Sequence, residues 1–373
     1  MEILGHRTLY RDGEYVSFPN MARLANGSIM CAFRHAKERQ KEYGAVTHVD
    51  PTAKDVFILS TDGGKTISSD YQIIVDDEMF SNKDPCITVL RSGRIIATYF
   101  RWELVPIGQG PATWGKELFE EFGRSLHGKY DCFSGGISYR ISDDNGKTWR
   151  QMSRLEPEGF LKGAAVRGNI VELDDGTLLM PFYGVKKMGE LSRVALYRSD
   201  DHGETFYQYS EMAFDEKCEK NFLEPNLFRT ESGRLIGLYR TQTDFHRPGV
   251  DFEETYLNLH MSVSEDNGKT FGPVFEADTL WGSSPFHALR LKSGKVLVVY
   301  GYRRPPFGIR ARLCNAELTD INDVPEIILR DDAPNGDLGY PHSIQLDDGT
   351  ILVSYYISGD DGIRKIDATI IKE

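Results

Sequence analysis

Arginine recurs near the ends of short apolar strands along this 373-residue chain, at Arg34, Arg101, Arg167, Arg240 and the pair Arg303 and Arg304. In the same repeating pattern stand groups able to move a proton or hold a hydrogen bond: Asp84, Glu224, His287, Tyr340 and His342. Guanidinium groups grip carboxylates through paired hydrogen bonds. Carboxyl, imidazole and phenol side chains are the usual agents of acid–base and nucleophilic catalysis. Brought together, these residues would form a mouth for a small anionic ligand with proton-transfer groups at its base.

The elements that must position them repeat. Six short hairpins, each with a Gly turn, run from Phe18 to Arg34, Asp84 to Arg101, Gly168 to Tyr183, Glu224 to Arg240, Ser284 to Tyr300 and Tyr340 to Tyr356. An eight-residue pattern with an Asp-x-Gly turn and a Thr step falls between successive hairpins. Its four copies are Ser60–Ile67, Ser142–Trp149, Ser199–Phe206 and Ser264–Phe271, with a degenerate connection at Leu313–Asp320 before the last hairpin. Gly supplies the left-handed turn, and the residue after Thr begins a strand and plugs an apolar layer. Hairpins at this period predict an all-β, six-bladed propeller over residues 1 to 373 as one domain. Glu2 to Leu9 is expected to close the blade that Arg364 to Ile371 completes. The start of each first strand and the end of each second lie at the same end of a hairpin. The pairs Ser17 and Arg34, Asp84 and Arg101, Arg167 and Tyr183, Glu224 and Arg240, His287 with Arg303 and Arg304, and Tyr340 with His342 should therefore ring one face. An insertion at about 102–135 interrupts the second blade, and a second excursion, from Thr241 to Thr255, carries His246 and Arg247. Long loops of this kind cap a site or cover a blade edge.

The eight-residue pattern resembles the Asp box of the sialidase (neuraminidase) superfamily, and the resemblance extends to site residues. In that family a Glu-Pro opening an inner strand precedes a carboxylate-binding arginine by sixteen residues, as Glu224 precedes Arg240 here. The stretch Gly339–Gly349 looks like the element that carries the family's tyrosine nucleophile, which places Tyr340 in that role. Tyr302–Arg310 looks like the segment bearing another carboxylate arginine, with Arg304 the better fit and Arg310 second. The acid/base aspartate is expected before the first Asp box, where Asp50 is preferred to Asp55, with Asp84 as the alternative on the next blade. Where the family has its first arginine this chain has Ser17, and Arg34 matches the next arginine only roughly. The resemblance thus implies an exo-acting, retaining glycoside hydrolase on an acidic sugar, with an incomplete carboxylate clamp and weak turnover of an ordinary sialoside. Arg34, Arg101, Asp84, Arg167, His287 and His342 complete the expected binding set. A tyrosine that is neutral until Glu224 takes its proton avoids the repulsion a carboxylate nucleophile would meet at a sugar bearing its own carboxylate.

Two other readings remain open on the residues. One is a binding propeller that kept the boxes without the chemistry, which Ser17 favours. The other is a lyase on a uronic acid, with His48, His287 or His342 as base. The net charge of -12 argues against a broad nucleic-acid surface. The five cysteines are scattered without metal-ligand spacing, so neither a disulfide framework nor a metal or other cofactor is expected. No stretch has the apolar length of a signal or a membrane span, so the chain as given reads as cytoplasmic, or as secreted or periplasmic if a signal was removed. The expected partner is a small acidic sugar or glycan, with no nucleic acid and no membrane.

Overall fold

The computed structural model describes residues 1–44, 48–77, 80–161, 164–244, 252–282 and 284–373. Six antiparallel sheets follow one another along the chain as the blades of a β-propeller, each beginning with its strand nearest the axis. Blade 1 runs Tyr15–Arg23, Ile29–Ala36, Lys54–Ser60 and Gln72–Val75, and blade 2 is built on Phe80–Val89, Ile95–Pro106, Tyr130–Ser142 and Arg150–Gln151. Blades 3, 4 and 5 begin at Val171–Glu172, Asn221–Arg229 and His287–Arg290. Blade 6 pairs Gly339–Gln345, Ile351–Ser358 and Arg364–Lys372, and its outermost strand is Glu2–Tyr10 from the chain's start, as expected. No helix among the described residues is long and apolar enough to cross a membrane.

Strand alternation puts apolar side chains on both faces of each blade, and neighbouring blades bury them against one another. Leu90, Ile96 and Tyr139 of blade 2 meet Leu178, Met180 and Phe182 of blade 3 in one such layer. Phe228, Leu238 and Met261 of blade 4 meet Val298 and Tyr300 of blade 5 in another. The Asp boxes turn between the third strand of a blade and its outer strand. In the box of blade 2, Ser142 Oγ accepts from the Gly146 amide at 2.9 Å, while Asp144 accepts from the Thr148 amide at 2.9 Å and its hydroxyl at 2.7 Å. The degenerate connection does the same work with Asn315, whose Oδ1 accepts from the amides of Glu317 and Thr319.

A belt of polar side chains around the axis ties the blades together across five of their six boundaries and so fixes the site. Asn20 Oδ1 accepts from the Ile87 amide at 2.9 Å, and Thr88 Oγ1 from the Ile170 amide at 2.9 Å. Asn226 Oδ1 accepts from the Ala288 amide, and His287 Nδ1 from the Ser343 amide at 3.2 Å. His342 Nδ1 joins blade 6 to blade 1 by accepting from the Met21 amide at 3.3 Å.

The insertion in blade 2 forms helices α2 (Gly110–Trp114) and α3 (Lys116–Phe122) and the strand Arg124–Leu126, after helix α1 (Gln40–Tyr43) in blade 1. It is packed rather than loose. Asp131 accepts from the amides of Gly108 and Gly110 at 2.8 Å, and Trp114 stacks between Phe119 and Phe133. Across the blade boundary Tyr43 stacks on His127 with centroids 3.9 Å apart. His246 and Arg247 of the second excursion lie outside the described residues.

Candidate active site

Four inner strands share one local distortion, and it aims the site. Phe18, Asp84, Glu224 and Tyr340 each precede a proline, each sit at a register shift, and each adopt a left-handed backbone, with φ between 46° and 59°. Proline disfavours the right-handed helical region for the residue before it. A bulge there turns one side chain out of the pleat. Left-handed non-glycine residues cost on the order of 1–3 kcal/mol each and persist where the surroundings hold them. Here the distortion delivers Asp84, Glu224 and Tyr340 into one cavity of about 290 Å³. Phe18, the fourth, packs on the Tyr340 ring at 4.5 Å.

Within the cavity the Tyr340 hydroxyl donates a short hydrogen bond to Glu224 Oε1. Arg240 holds the other carboxylate oxygen, its Nη1 lying 2.6 Å from Glu224 Oε2 and 3.4 Å from the Tyr340 hydroxyl. Its second nitrogen donates to the Tyr256 hydroxyl at 3.0 Å, which also receives Arg303 Nη1 at 3.3 Å. Arg303 then reaches the Leu338 carbonyl and the Tyr356 hydroxyl. Arg167 lies against the Tyr340 ring, 5.0 Å from its centroid, and donates to the carbonyls of Pro19 and Tyr340. Beyond this layer Asp337 gathers Tyr15, His48, Tyr356 and Arg364.

Burial and charge divide the proton-bearing groups. Burial alone would raise Glu224, but Arg240 and the Tyr340 hydrogen bond outweigh it and hold the carboxyl below its usual range. Burial, with the charges of Glu224 and Asp84, pushes Tyr340 well above the ordinary phenol value. Burial raises Asp84 above the usual carboxylate range, against the pull of Arg167 and Lys83. The ground state is therefore a neutral phenol on an ionised Glu224, beside an aspartic acid that holds its proton to a higher pH.

Not every expected residue arrives. Asp50 is 1% exposed and lines no part of the cavity: its Oδ1 accepts from the Thr52 amide and hydroxyl, and Oδ2 lies 3.0 Å from Arg39 Nε. Arg101 sits one residue past Phe100, the residue that pairs with Lys83 as Arg240 pairs with Leu223. That single step turns it to the other face, where it meets Asp77 and the Phe80 ring. Arg34 occupies the right register, opposite Ser17, but is 0% exposed beside Asp55, with no hydrogen-bond partner among the described residues. Arg304 lies over Trp281 at 4.0 Å, and Arg310 turns to the carbonyls of Pro306 and Arg330. The arginine that joins the cluster from this segment is Arg303, since successive side chains of an extended chain point apart. Lys83, Tyr256, Tyr356 and Asp337 were not anticipated. Lys83 precedes Asp84, and that adjacency was the one available signal.

His287 and His342 sit on the axial belt with ring centroids 3.7 Å apart, not in the cavity. Burial and Arg167 lower His287 to about 3, and burial with the charges of His287 and Arg167 holds His342 well below its ordinary value. Each Nδ1 accepts a backbone amide, so a proton added there would break a tie between blades. The unfolded chain takes up these protons near pH 6.5 and the folded chain does not, so stability is full above that pH and falls as pH drops toward 3. A His287→Gln, His342→Gln variant should show a shallower loss between pH 6.5 and 4 in urea titrations, by up to about 1.4 kcal/mol per pH unit for each histidine. An unchanged slope would show that other groups carry the acid sensitivity.

A family model described as BNR repeat-like domain matches residues 53–353. No curated protein matches the chain. Among solved structures, a protein of unknown function from Dyadobacter fermentans is 30% identical, with 99% of this chain and 98% of that one covered and a TM-score of 0.83. The K499G mutant of NanB sialidase from Streptococcus pneumoniae is similar at 14% identity, over 98% of this chain and 70% of that one, with a TM-score of 0.65. The α-L-arabinanase of Penicillium chrysogenum, complexed with arabinobiose, is similar at 14% identity, over 100% and 99%, with a TM-score of 0.67. The last two likenesses are likenesses of fold.

Proposed function

This chain belongs to the BNR repeat-like domain family, and from that premise and its axial cluster we propose a retaining glycoside hydrolase acting on an acidic sugar, with Tyr340 as nucleophile. The observation that carries the reading is the buried Tyr340–Glu224 hydrogen bond with Arg240 on both groups. As the phenol oxygen attacks the anomeric carbon, its proton passes to Glu224. Asp84, protonated, gives its proton to the departing glycosidic oxygen. The glycosyl–tyrosine bond is then broken by water, which the ionised Asp84 deprotonates, and Glu224 returns the proton to the phenolate. Asp84 takes the acid/base role expected of Asp50 because it lines the cavity and burial raises it to about 6, so that it holds its proton to a higher pH than an ordinary carboxyl. The cationic lining of Lys83, Arg124 and Arg240 supports an anionic substrate.

The test is a panel of aryl glycosides of sialic acid, Kdo, uronic acids and arabinofuranose, assayed with wild type, Tyr340→Phe and Asp84→Asn. Turnover of an acidic member is expected. Its rate should fall as pH rises through the raised value of Asp84, because a general acid works only while protonated, and that alkaline limb should vanish in Asp84→Asn. A second reading has one observation in its favour, the opposite displacement of Asp84 and Glu224, which suits a two-carboxylate hydrolysis of a neutral sugar. Turnover of the arabinofuranoside that survives Tyr340→Phe would establish that reading instead.

A further inference from the structure

The cations around the cavity differ in whether they are already engaged. Arg240 is taken up by Glu224 and Tyr256, Arg303 by Leu338, Tyr256 and Tyr356, and Arg167 by two carbonyls. Lys83 and Arg124 are not. Among the described residues neither makes an ion pair, though both line the cavity. The Lys83 ammonium stands over the rings of Phe18 and Phe100, at 5.3 and 5.7 Å, and the Arg124 guanidinium over Trp102 at 5.3 Å. Burial lowers the Lys83 ammonium to about 8, against the pull of Asp84 and Glu224 and with the charges of Arg34 and Arg124 acting in the same direction as burial. In a chain of net charge -12, these two cations, without an ion pair among the described residues, join Arg240 in a cavity whose carboxylates are Asp84 and Glu224, so cations outnumber acids along its lining.

They also share a wall. Lys83 and Trp102 belong to blade 2, and Phe122 and Arg124 belong to the insertion folded over it. The Trp102 indole nitrogen is buried and has no hydrogen-bond partner among the described residues. Aromatic faces with an unused donor suit a sugar ring, whose C–H face packs on the aromatic surface while its oxygens accept hydrogen bonds. Asp84 lines the same cavity and its charge acts on the Lys83 ammonium, so this wall lies beside the group proposed to protonate the leaving oxygen.

We propose that Lys83, Trp102, Phe122 and Arg124 form a leaving-group subsite for a second sugar ring bearing a carboxylate or sulfate, so that the substrate is an acidic oligosaccharide. The inference rests on the hydrolase reading above for the direction of cleavage, but binding tests it without turnover. Full-length Tyr340→Phe protein would be titrated calorimetrically with digalacturonate, a sulfated disaccharide and neutral galactobiose, at low and at physiological salt. At least one charged disaccharide should bind about tenfold or more tightly than the neutral one, with a preference that shrinks as salt rises. Arg124→Gln, a change at an exposed side chain, and Lys83→Met should each remove about tenfold of that affinity and leave the neutral disaccharide unaffected. Trp102→Ala should weaken all three.

Equal affinity for charged and neutral disaccharides, or a charge preference that survives both cation variants, would overturn the subsite. Preference for the carboxylate over the sulfate, or the reverse, identifies which anion the wall reads. The parent reading fails separately: a charged disaccharide that binds through Lys83 and Arg124 yet is never cleaved by wild type leaves the subsite standing and removes the hydrolase.

Discussion

Tyr340→Phe is expected to lower kcat on an acidic glycoside by about a thousandfold or more while substrate affinity stays within a few-fold. The substitution removes one oxygen and leaves the ring, which packs on Phe18 and lies against Arg167. Glu224 keeps Arg240 as its partner, so the cost to stability should be no more than about 1–3 kcal/mol for one buried hydrogen bond. A thermal melt and a binding titration therefore separate loss of the nucleophile from loss of the fold. Glu224→Gln should resemble Tyr340→Phe in rate, because a carboxamide cannot take the phenol proton. If Tyr340→Phe keeps activity within tenfold of wild type while Glu224→Gln abolishes it, the tyrosine is a hydrogen-bond donor to a carboxylate nucleophile and nothing more.

The expected residues that the structure brings together are those whose position follows from the repeat. Asp84, Glu224 and Tyr340 each stand before a proline at the start of an inner strand, and the same bulge in several blades sends all three to the axis. The propeller itself was legible for the same reason, since six hairpins and four Asp boxes admit few other closures. Side-chain direction beyond the repeat was not legible. Arg101 and Phe100 are one residue apart, as are Arg303 and Arg304, and neither a strand with a register shift nor the turn after a strand shows in its composition which of two neighbours faces inward. Asp50 looked like a free loop acid because the sequence does not reveal that Thr52 and Arg39 already occupy its oxygens. The insertion's role as a wall of the cavity depended on tertiary packing of Phe122 and Arg124 that no local pattern encodes.

Arg240→Met is expected to cost about 3–5 kcal/mol of stability at neutral pH, the largest effect of any single change in the cluster. Arg240 and Glu224 are each under a tenth exposed, and their contact at 2.6 Å is the one ion pair Glu224 makes among the described residues. Methionine fills much of the same volume, so the loss reports a buried carboxylate left without its counter-charge. The pH dependence then reverses in sign. In wild type Glu224 is held below its unfolded value, so its contribution is present above the usual carboxylate range and is lost as pH falls. Without Arg240, burial is opposed only by the Tyr340 hydrogen bond and the charge of Arg303 and should lift the same group above its unfolded value, so the variant gains stability relative to wild type as pH falls and Glu224 is protonated. Urea titrations at pH 8 and pH 5 would therefore show a smaller deficit at the lower pH. The double variant Arg240→Met, Glu224→Gln should recover much of the loss, because the buried charge that made it costly is gone. A deficit that is independent of pH and persists in the double variant would mean that Arg240 stabilises the fold mainly through Tyr256 and not through Glu224.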